Sequence, residues 1–196
     1  MSNLKEQFKL NQLPALQTEL GIKNTLAMPQ LEKVVLNIGV GKNRDNQKFM
    51  DLAKDNLTII AGQKPVVRLA RKAISGFKVR EGDPVGLTVT LRNIKMYDFL
   101  TKLANVTLPR LRDFRGINQD SFDSRGNLTI GIKEQIIFPE ITHEKAEIIH
   151  GLEVTAVFKN SNPAASQRIL ETIGFPFKKI DAVNPSTSLG VKEKNG

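Results

Sequence analysis

The sequence predicts an α+β fold, in which helices pack against one face of an antiparallel sheet and leave the other face open. Two observations support this prediction. Segments with the alternating polarity of strands are interleaved with segments of helical periodicity along the 196 residues. The strand segments alternate between apolar and polar residues, whereas strands buried on both faces read as continuous apolar runs. We therefore expect only one face of the sheet to be covered.

The N-terminal part predicts two short helices followed by a strand. Apolar residues fall near helical spacing at Leu4, Phe8, Leu13, Leu16 and Leu20. Pro14 divides this stretch, and Gly21 ends the second helix. The next segment, LEKVVLNIGV (31–40), alternates strictly. Its polar positions place Lys33 and Asn37 on the open face.

The middle of the chain predicts two helices separated by two strands. Asp45 or Asn46 can cap the first helix, and Gly62 closes it. A short strand, PVVRLAR (65–71), precedes VGLTVTLR (85–92), whose alternation is clear. Asn93 can cap the second helix. Its apolar stripe has helical spacing and comprises Met96, Phe99, Leu100 and Leu103.

The C-terminal part completes the predicted sheet and adds one helix. Residues 108–126 are loop-like and carry the cations Arg110, Arg112, Arg115 and Arg125. Strands are predicted at 127–133 and 151–159, and a final helix runs from Asn162 and Pro163 to Gly174. We expect residues 1–180 to form a single domain and residues 181–196 to be a polar, disordered tail.

The charge balance favours an anionic partner. There are 29 Lys and Arg residues against 20 Asp and Glu residues, which gives a net charge of +9. Such a field attracts phosphate backbones or anionic membranes, and DNA is an alternative to RNA on this ground. The chain has no Trp and a single Tyr, so it is poor in rings on which unpaired bases stack. No apolar run is long enough to cross a bilayer, so we expect no membrane partner.

Residues for catalysis or metal binding are not brought together by any motif. Cysteine is absent, which removes disulfides and thiolate ligands. His143 and His150 lie seven residues apart and fit neither a metal motif nor a triad. The pair Glu144 and Glu147 is typical of an exposed helix face. We therefore predict no catalytic residues, no metal and no cofactor.

The tetrapeptide GVGK (39–42) is the one segment that suggests a phosphate-handling enzyme. A phosphate-binding P-loop needs a glycine where Leu36 stands and a Ser or Thr where Asn43 stands. Because neither position carries the residue that the motif requires, we interpret the two glycines as part of a strand-to-helix turn. The enzyme is kept as an alternative hypothesis.

Polar residues on the open face form the first candidate site. The outward positions of three successive sheet segments, with the two residues before the second strand, are Lys33, Asn37, Gln63, Lys64, Arg68, Thr88, Thr90 and Arg92. Short neutral hydrogen-bonding groups beside cations suit the sugar hydroxyls and phosphates of RNA. A plain solvated face is the alternative.

The connection between the strands at 66–71 and 85–92 forms the second candidate site. Between Lys64 and Arg92 there are seven cations and two anions, a local balance of +5. A hairpin connection of this length exceeds the usual two to five residues, and long loops are often functional. We expect this basic loop to project from the sheet and to contact a second anionic partner. A mobile loop with Phe77 tucked inward is the alternative.

Long blocks of the sequence resemble one known family. They are MPQLEKVVLNIGVG (28–41), IAGQKP (60–65), ARKAISGFKVREGDPVG (70–86), LPRLRDFRGINQDSFDSRGNLTIGIKEQIIFPEI (108–141) and GFPFKK (174–179). Together they resemble the bacterial form of the universal large-subunit ribosomal protein that binds 5S ribosomal RNA (5S rRNA). The resemblance implies a cytoplasmic, non-enzymatic protein of the central protuberance. It also implies contacts with 23S-type rRNA and with neighbouring large-subunit proteins.

The resemblance also assigns roles to residues. The matching positions for 5S rRNA are Asn37, Gln63 and Thr90, with Lys33, Lys64, Thr88 and Arg92 beside them. The matching positions of a hairpin that reaches the tRNA in the peptidyl site are Lys72, Ser75, Gly76, Phe77, Lys78 and Arg80. The family also meets a small-subunit head protein, for which no residue is assigned here. The role of RDFRG (112–116) stays open, because its cations suggest RNA whereas Phe114 and Gly116 suggest fold architecture.

Overall fold

The fold is taken from a computed structural model that describes residues 21–22, 24–41, 43, 46–112, 114–141 and 148–178. The predicted N-terminal helices and the tail from Asp181 lie outside these residues. His143, Glu144 and Glu147 lie outside them as well.

The described strands form one five-stranded antiparallel sheet. They are β1 (Gln30–Gly39), β2 (Val66–Leu69), β3 (Pro84–Leu91), β4 (Leu128–Ile132) and β5 (Leu152–Lys159). Their order across the sheet is β2-β3-β1-β5-β4. Every predicted strand is present, and the predicted α+β class is confirmed. The central position of β1, between β3 and β5, decides which polar residues become neighbours.

Three α-helices are described: α1 (Gln47–Ala61), α2 (Asn93–Lys102) and α3 (Pro163–Ile173). Local sequence explains the ends of α1 and α3. The Asn46 side chain accepts a hydrogen bond from the Phe49 N–H at 3.2 Å, and Asn162 does the same for Ala165 at 2.8 Å. Gly62 closes α1 with a φ of 61°.

Helix α2 begins and ends differently from the prediction. Asn93 is its first residue, with a φ of 55°, and the cap position is Arg92, whose side chain makes no capping hydrogen bond. Asparagine tolerates this left-handed conformation better than most residues, which suits it to a sharp turn after β3. Beyond α2 the helical backbone continues through a π turn (Leu103–Thr107) and a 3-10 turn (Leu108–Arg110). Part of the predicted loop at 108–126 is therefore the end of a longer helical segment.

The core lies between the helices and one face of the sheet. The alternate residues Val34, Leu36 and Ile38 of β1 are at most 1% exposed. They belong to one cluster with apolar residues of the neighbouring strands and of all three helices, including Leu57, Leu100 and Leu170. Because strand side chains alternate between faces, this burial directs Lys33, Asn37 and Thr90 to the opposite face.

A buried polar cluster fixes the segment that leads into β5. The Gln135 side chain donates to the Ile148 carbonyl at 2.8 Å and accepts from the His150 N–H at 2.7 Å. The His150 ring lies 3.4 Å from the Asn56 amide nitrogen. Burial lowers the pKa of His150, so its ring is neutral near pH 7. The only described histidine is thus part of the packed interior.

The GVGK segment is a turn between a strand and a helix. Gly39 ends β1, and Gly41 lies in a turn closed by a hydrogen bond of 2.9 Å from the Asn43 N–H to the Val40 carbonyl. Lys42 is outside the described residues. Within the described ranges, no group of three or more His, Asp or Glu side chains is arranged to hold a metal ion.

The RDFRG segment contacts the chain after α3. The Ile117 N–H donates to the Pro176 carbonyl at 2.9 Å, and the Lys178 N–H donates to the Ile117 carbonyl at 3.1 Å. Gly116 has a φ of 100°, and a Cβ atom placed there would lie 2.6 Å from the Lys178 nitrogen. Gly116 therefore serves fold architecture, because only glycine permits this close approach.

Candidate RNA interface

The outward side chains of the sheet, here called the open face, lie in three rows across the strands. One row runs from β2 to β4 through Val66, Thr88, Asn37, Glu153 and Gly131. A second contains Thr90, Val35, Thr155 and Thr129. A third contains Arg68, Gly86 and Gly39. The buried residues of the three described helices cluster with the opposite, apolar face of the sheet, and Asn37 and Thr90 are half-buried.

Asn37 occupies the centre of the open face, and its side chain is oriented by both neighbours. The Thr88 hydroxyl donates to Asn37 Oδ1 at 3.2 Å. Asn37 Nδ2 in turn donates to Glu153 Oε2 at 3.2 Å. An amide has two N–H donors and two lone pairs, so one N–H and one lone pair remain for a ligand. Thr88 is only 9% exposed, so it positions Asn37 more than it offers a contact of its own.

Gln63 is brought to β3 by the end of α1. It follows Gly62, the residue that closes α1, and its Nε2 lies 3.4 Å from the Thr90 carbonyl oxygen. Pairing between β2 and β3 begins at Val66 and Thr88, so the strand edge near Thr90 is available to Gln63. The structure therefore places Gln63 beside Thr90, in line with their grouping from the sequence.

Lys33 and Arg92 lie together at one end of the open face. Their side-chain nitrogens are 3.7 and 3.5 Å from the same carboxylate oxygen of Glu32. Glu32 lies at an irregularity in the pairing of β1 with β5, between Leu31 and Lys33. Exposed ion pairs of this kind contribute little stability. Their effect here is to hold two cations at the border of the polar centre.

Sequence reasoning missed the half of the open face that β5 and β4 supply. Glu153 adjoins Asn37, and the hydroxyls of Thr129 and Thr155 lie 3.3 Å apart. The alternation of LEVTAVFK (152–159) could have identified the outward residues of this strand. It could not have shown that β5 pairs with β1.

The second candidate site is an ordered hairpin. Its base is closed by a hydrogen bond of 2.8 Å from the Ala70 N–H to the Asp83 carbonyl. Near the tip, Ile74 and Val79 exchange backbone hydrogen bonds of 2.9 and 3.2 Å around a 3-10 turn at Ser75–Phe77. Phe77 is 77% exposed, so its ring points outward and is not tucked inward. All six predicted hairpin residues are exposed: Lys72, Ser75, Gly76, Phe77, Lys78 and Arg80.

The arginine-rich segment lies beside the edge strand β4. A groove of about 730 Å³ is lined by Arg110, Arg112 and Phe114 of this segment and by Gly131, Lys133 and Glu134 in and after β4. Gly131 also belongs to the open face. The groove therefore adjoins the open face at the β4 edge, and its lining carries three cations and one carboxylate.

The comparisons with known proteins identify the family. Residues 24–80 match the family described as "Ribosomal protein L5", and residues 84–177 match the model of the C-terminal part of the same ribosomal protein family. The "Large ribosomal subunit protein uL5" of Desulfatibacillum aliphaticivorans is 51% identical over 179 residues, which cover 91% of this chain and 100% of that protein. The chain belongs to the ribosomal protein L5 family.

Two further relatives with the same name support the same family assignment. The proteins of Thermoanaerobacter sp. (strain X514) and Dichelobacter nodosus are 47% and 48% identical, each covering 91% of this chain and 100% and 99% of their own length. This member of the L5 family is thus a structural protein of the large subunit of the cytoplasmic ribosome and not an enzyme. None of the described helices is long and apolar enough to cross a membrane.

Proposed function

We propose that the open face binds 5S rRNA within the large subunit. The observation that carries the proposal is the preorganised polar centre: Asn37 is held between Thr88 and Glu153, and Gln63 is held at Thr90. Side chains already fixed by the protein lose little conformational entropy when a ligand binds. The described helices pack against the apolar face, which supports the approach of a large partner to this surface.

The arrangement of charge on the open face suits a folded RNA. Cations stand at its borders, with Lys33 and Arg92 at one end, the exposed Lys64 before β2 and the exposed Arg68 within β2. Neutral hydroxyl and amide groups fill the centre. Cations at the borders contact phosphates and release counterions, whereas the centre faces sugar hydroxyls and base edges. The shallow minor groove of an RNA helix presents these groups to a flat surface.

The first test is selective binding by the full chain. We expect it to retain 5S rRNA on a filter in preference to a DNA duplex of similar length. Affinity should fall about 10³-fold or more between 50 and 200 mM salt if six or more phosphates are contacted. Equal affinity for both nucleic acids would leave the DNA-binding alternative standing and remove the proposal.

We further propose that the hairpin between β2 and β3 contacts the tRNA in the peptidyl site. The exposed Phe77 ring and the exposed cations Lys72, Lys78 and Arg80 support it, because an aromatic ring and cations together suit the bases and phosphates of RNA. The hairpin joins the edge strand β2 to β3, and its exposed tip residues are separate from the polar centre around Asn37. One protein could therefore hold two RNA molecules at once.

Changes at the hairpin tip are expected to separate the two RNA contacts. Phe77→Ala combined with Lys78→Ala should weaken tRNA binding to the peptidyl site of reconstituted ribosomes by about tenfold, since one aromatic stack contributes about 1–3 kcal/mol. Binding to 5S rRNA should stay at the wild-type level. Lys54→Ala on α1 removes a partly exposed cation from the helical side and is the matched control. Loss of 5S rRNA binding in the hairpin variant would refute this division of labour.

The remaining assignments are proposed on the family resemblance. They comprise contacts with 23S-type rRNA, with neighbouring proteins of the central protuberance and with a small-subunit head protein. We also propose that residues 1–180 act as a single RNA-binding domain. Pairing of β1 with both β3 and β5 supports this, because it joins the two separately matched parts of the chain in one sheet.

A further inference from the structure

Glu153 is a carboxylate in the middle of a surface proposed to bind a polyanion. It lies on β5 directly between Asn37 of β1 and Gly131 of β4. Its side chain is exposed, and one oxygen, Oε2, accepts the Asn37 amide hydrogen bond. Within the described parts of the chain, no Lys or Arg nitrogen forms an ion pair with it. The exposed carboxylate is therefore accessible to a ligand that binds the open face.

The residues around Glu153 leave room for a ligand to approach its carboxylate closely. Gly131 has no side chain, and a Cβ atom placed on it would meet nothing within 4 Å. Thr155 follows on the same strand and face, and its hydroxyl lies 3.3 Å from that of Thr129. A ligand group can thus reach the carboxylate from the β4 side without displacing a protein atom.

We infer that Glu153 is a specificity-determining residue that accepts hydrogen bonds from donor groups of the RNA. This inference rests on the proposed binding of 5S rRNA by the open face. A phosphate at this position would meet a like charge, whereas a donor group gains a charge-assisted hydrogen bond. Glu153 therefore both selects a donor for the centre of the face and keeps the phosphates at its cationic borders.

RNA supplies two kinds of donor to such a surface. Its minor groove displays the 2′-hydroxyl of every ribose and the exocyclic amino group of guanine. Both are neutral and both can donate to a carboxylate oxygen. A 2′-hydroxyl would make Glu153 a selector of RNA over DNA, and a guanine amino group would make it a reader of sequence.

Glu153→Gln isolates the charge with little change in shape. The glutamine carbonyl can still accept the Asn37 hydrogen bond, so the open face keeps its order. We expect about a tenfold loss of affinity for 5S rRNA in filter binding, since hydrogen bonds to charged groups are the stronger ones. Asp55→Asn, an exposed carboxylate on α1, loses the same charge on the helical side and should bind as the wild type does.

An unchanged or higher affinity of Glu153→Gln would distinguish a failure of the inference from a failure of the proposed function. If Glu153→Gln binds 5S rRNA as tightly as the wild type or more tightly, the carboxylate only repels phosphate, and the inference is overturned. That outcome leaves the proposed function standing, because the wild-type preference for 5S rRNA over DNA is measured separately. Absence of that preference would instead remove the proposed function.

Interference mapping identifies the donor. 5S rRNA transcripts with inosine or 2′-deoxynucleotides scattered at low frequency are selected for binding to the wild type and to Glu153→Gln. Inosine lacks the amino group, and the deoxynucleotide lacks the hydroxyl. We expect at least one position where an analogue weakens binding to the wild type but not to the variant, as in a double-mutant cycle. If no position behaves in this way, Glu153 contacts no donor and the inference fails.

Discussion

Asn37→Ala is expected to weaken binding to 5S rRNA by about 1–3 kcal/mol, or roughly 5- to 150-fold in Kd. Asn37 has one N–H and one lone pair that Thr88 and Glu153 do not use. Truncation would leave the RNA groups that these atoms meet desolvated and unpaired. It would also release Glu153 from the hydrogen bond that orients it, so the loss extends beyond a single contact.

The free energy of unfolding should fall by about 0.5–1.5 kcal/mol in this variant, the usual net contribution of an intramolecular hydrogen bond. Asn37 lies outside the apolar cluster, but its truncation leaves the Thr88 hydroxyl, on a residue that is 9% exposed, without its acceptor. Filter binding at fixed salt, together with thermal melting, measures both quantities. Asn118→Ala, an exposed asparagine outside the sheet, is the matched control. Wild-type affinity in Asn37→Ala would exclude the centre of the open face from the RNA contact.

The two faces of the sheet were predictable because strand periodicity is a local property. Lys33, Asn37 and Thr90 could be assigned to one face from alternation within single segments. Their hydrogen-bond partners were not predictable in the same way. Glu153 is 116 residues from Asn37 in the chain, and only the order of strands brings the two together.

Local conformation limited the prediction at two other points. Asn93 was expected to cap α2, but it is the first helical residue and takes a left-handed φ of 55°. Phe77 could lie inward or outward on sequence grounds alone. The structure leaves Phe77 77% exposed, at the tip of a hairpin that a short bridge between Ile74 and Val79 closes. Both outcomes depend on backbone geometry that residue type does not determine.

Gly116→Ala is expected to lower the free energy of unfolding by about 2–5 kcal/mol, the sum of a conformational and a steric cost. The left-handed φ of 100° costs an alanine about 1–2 kcal/mol. The added Cβ would also lie 2.6 Å from the Lys178 nitrogen and 2.8 Å from the Phe177 carbonyl carbon. Displacing backbone in a packed region costs about 1–3 kcal/mol more. Denaturant unfolding followed by circular dichroism measures the loss.

Gly82→Ala separates the conformational cost from the steric cost that Gly116→Ala combines. Gly82 has a similar φ of 88°, but a Cβ atom there meets nothing within 4 Å. It should therefore lose only the conformational part, about 1–2 kcal/mol. Arg115→Ala, in the same RDFRG segment, should leave stability nearly unchanged because Arg115 is exposed. If Gly116→Ala loses no more stability than Gly82→Ala, the close approach to Phe177 and Lys178 does not hold the segment. The case for a purely architectural Gly116 would then fail, and its place beside the exposed Arg115 would point to the RNA instead.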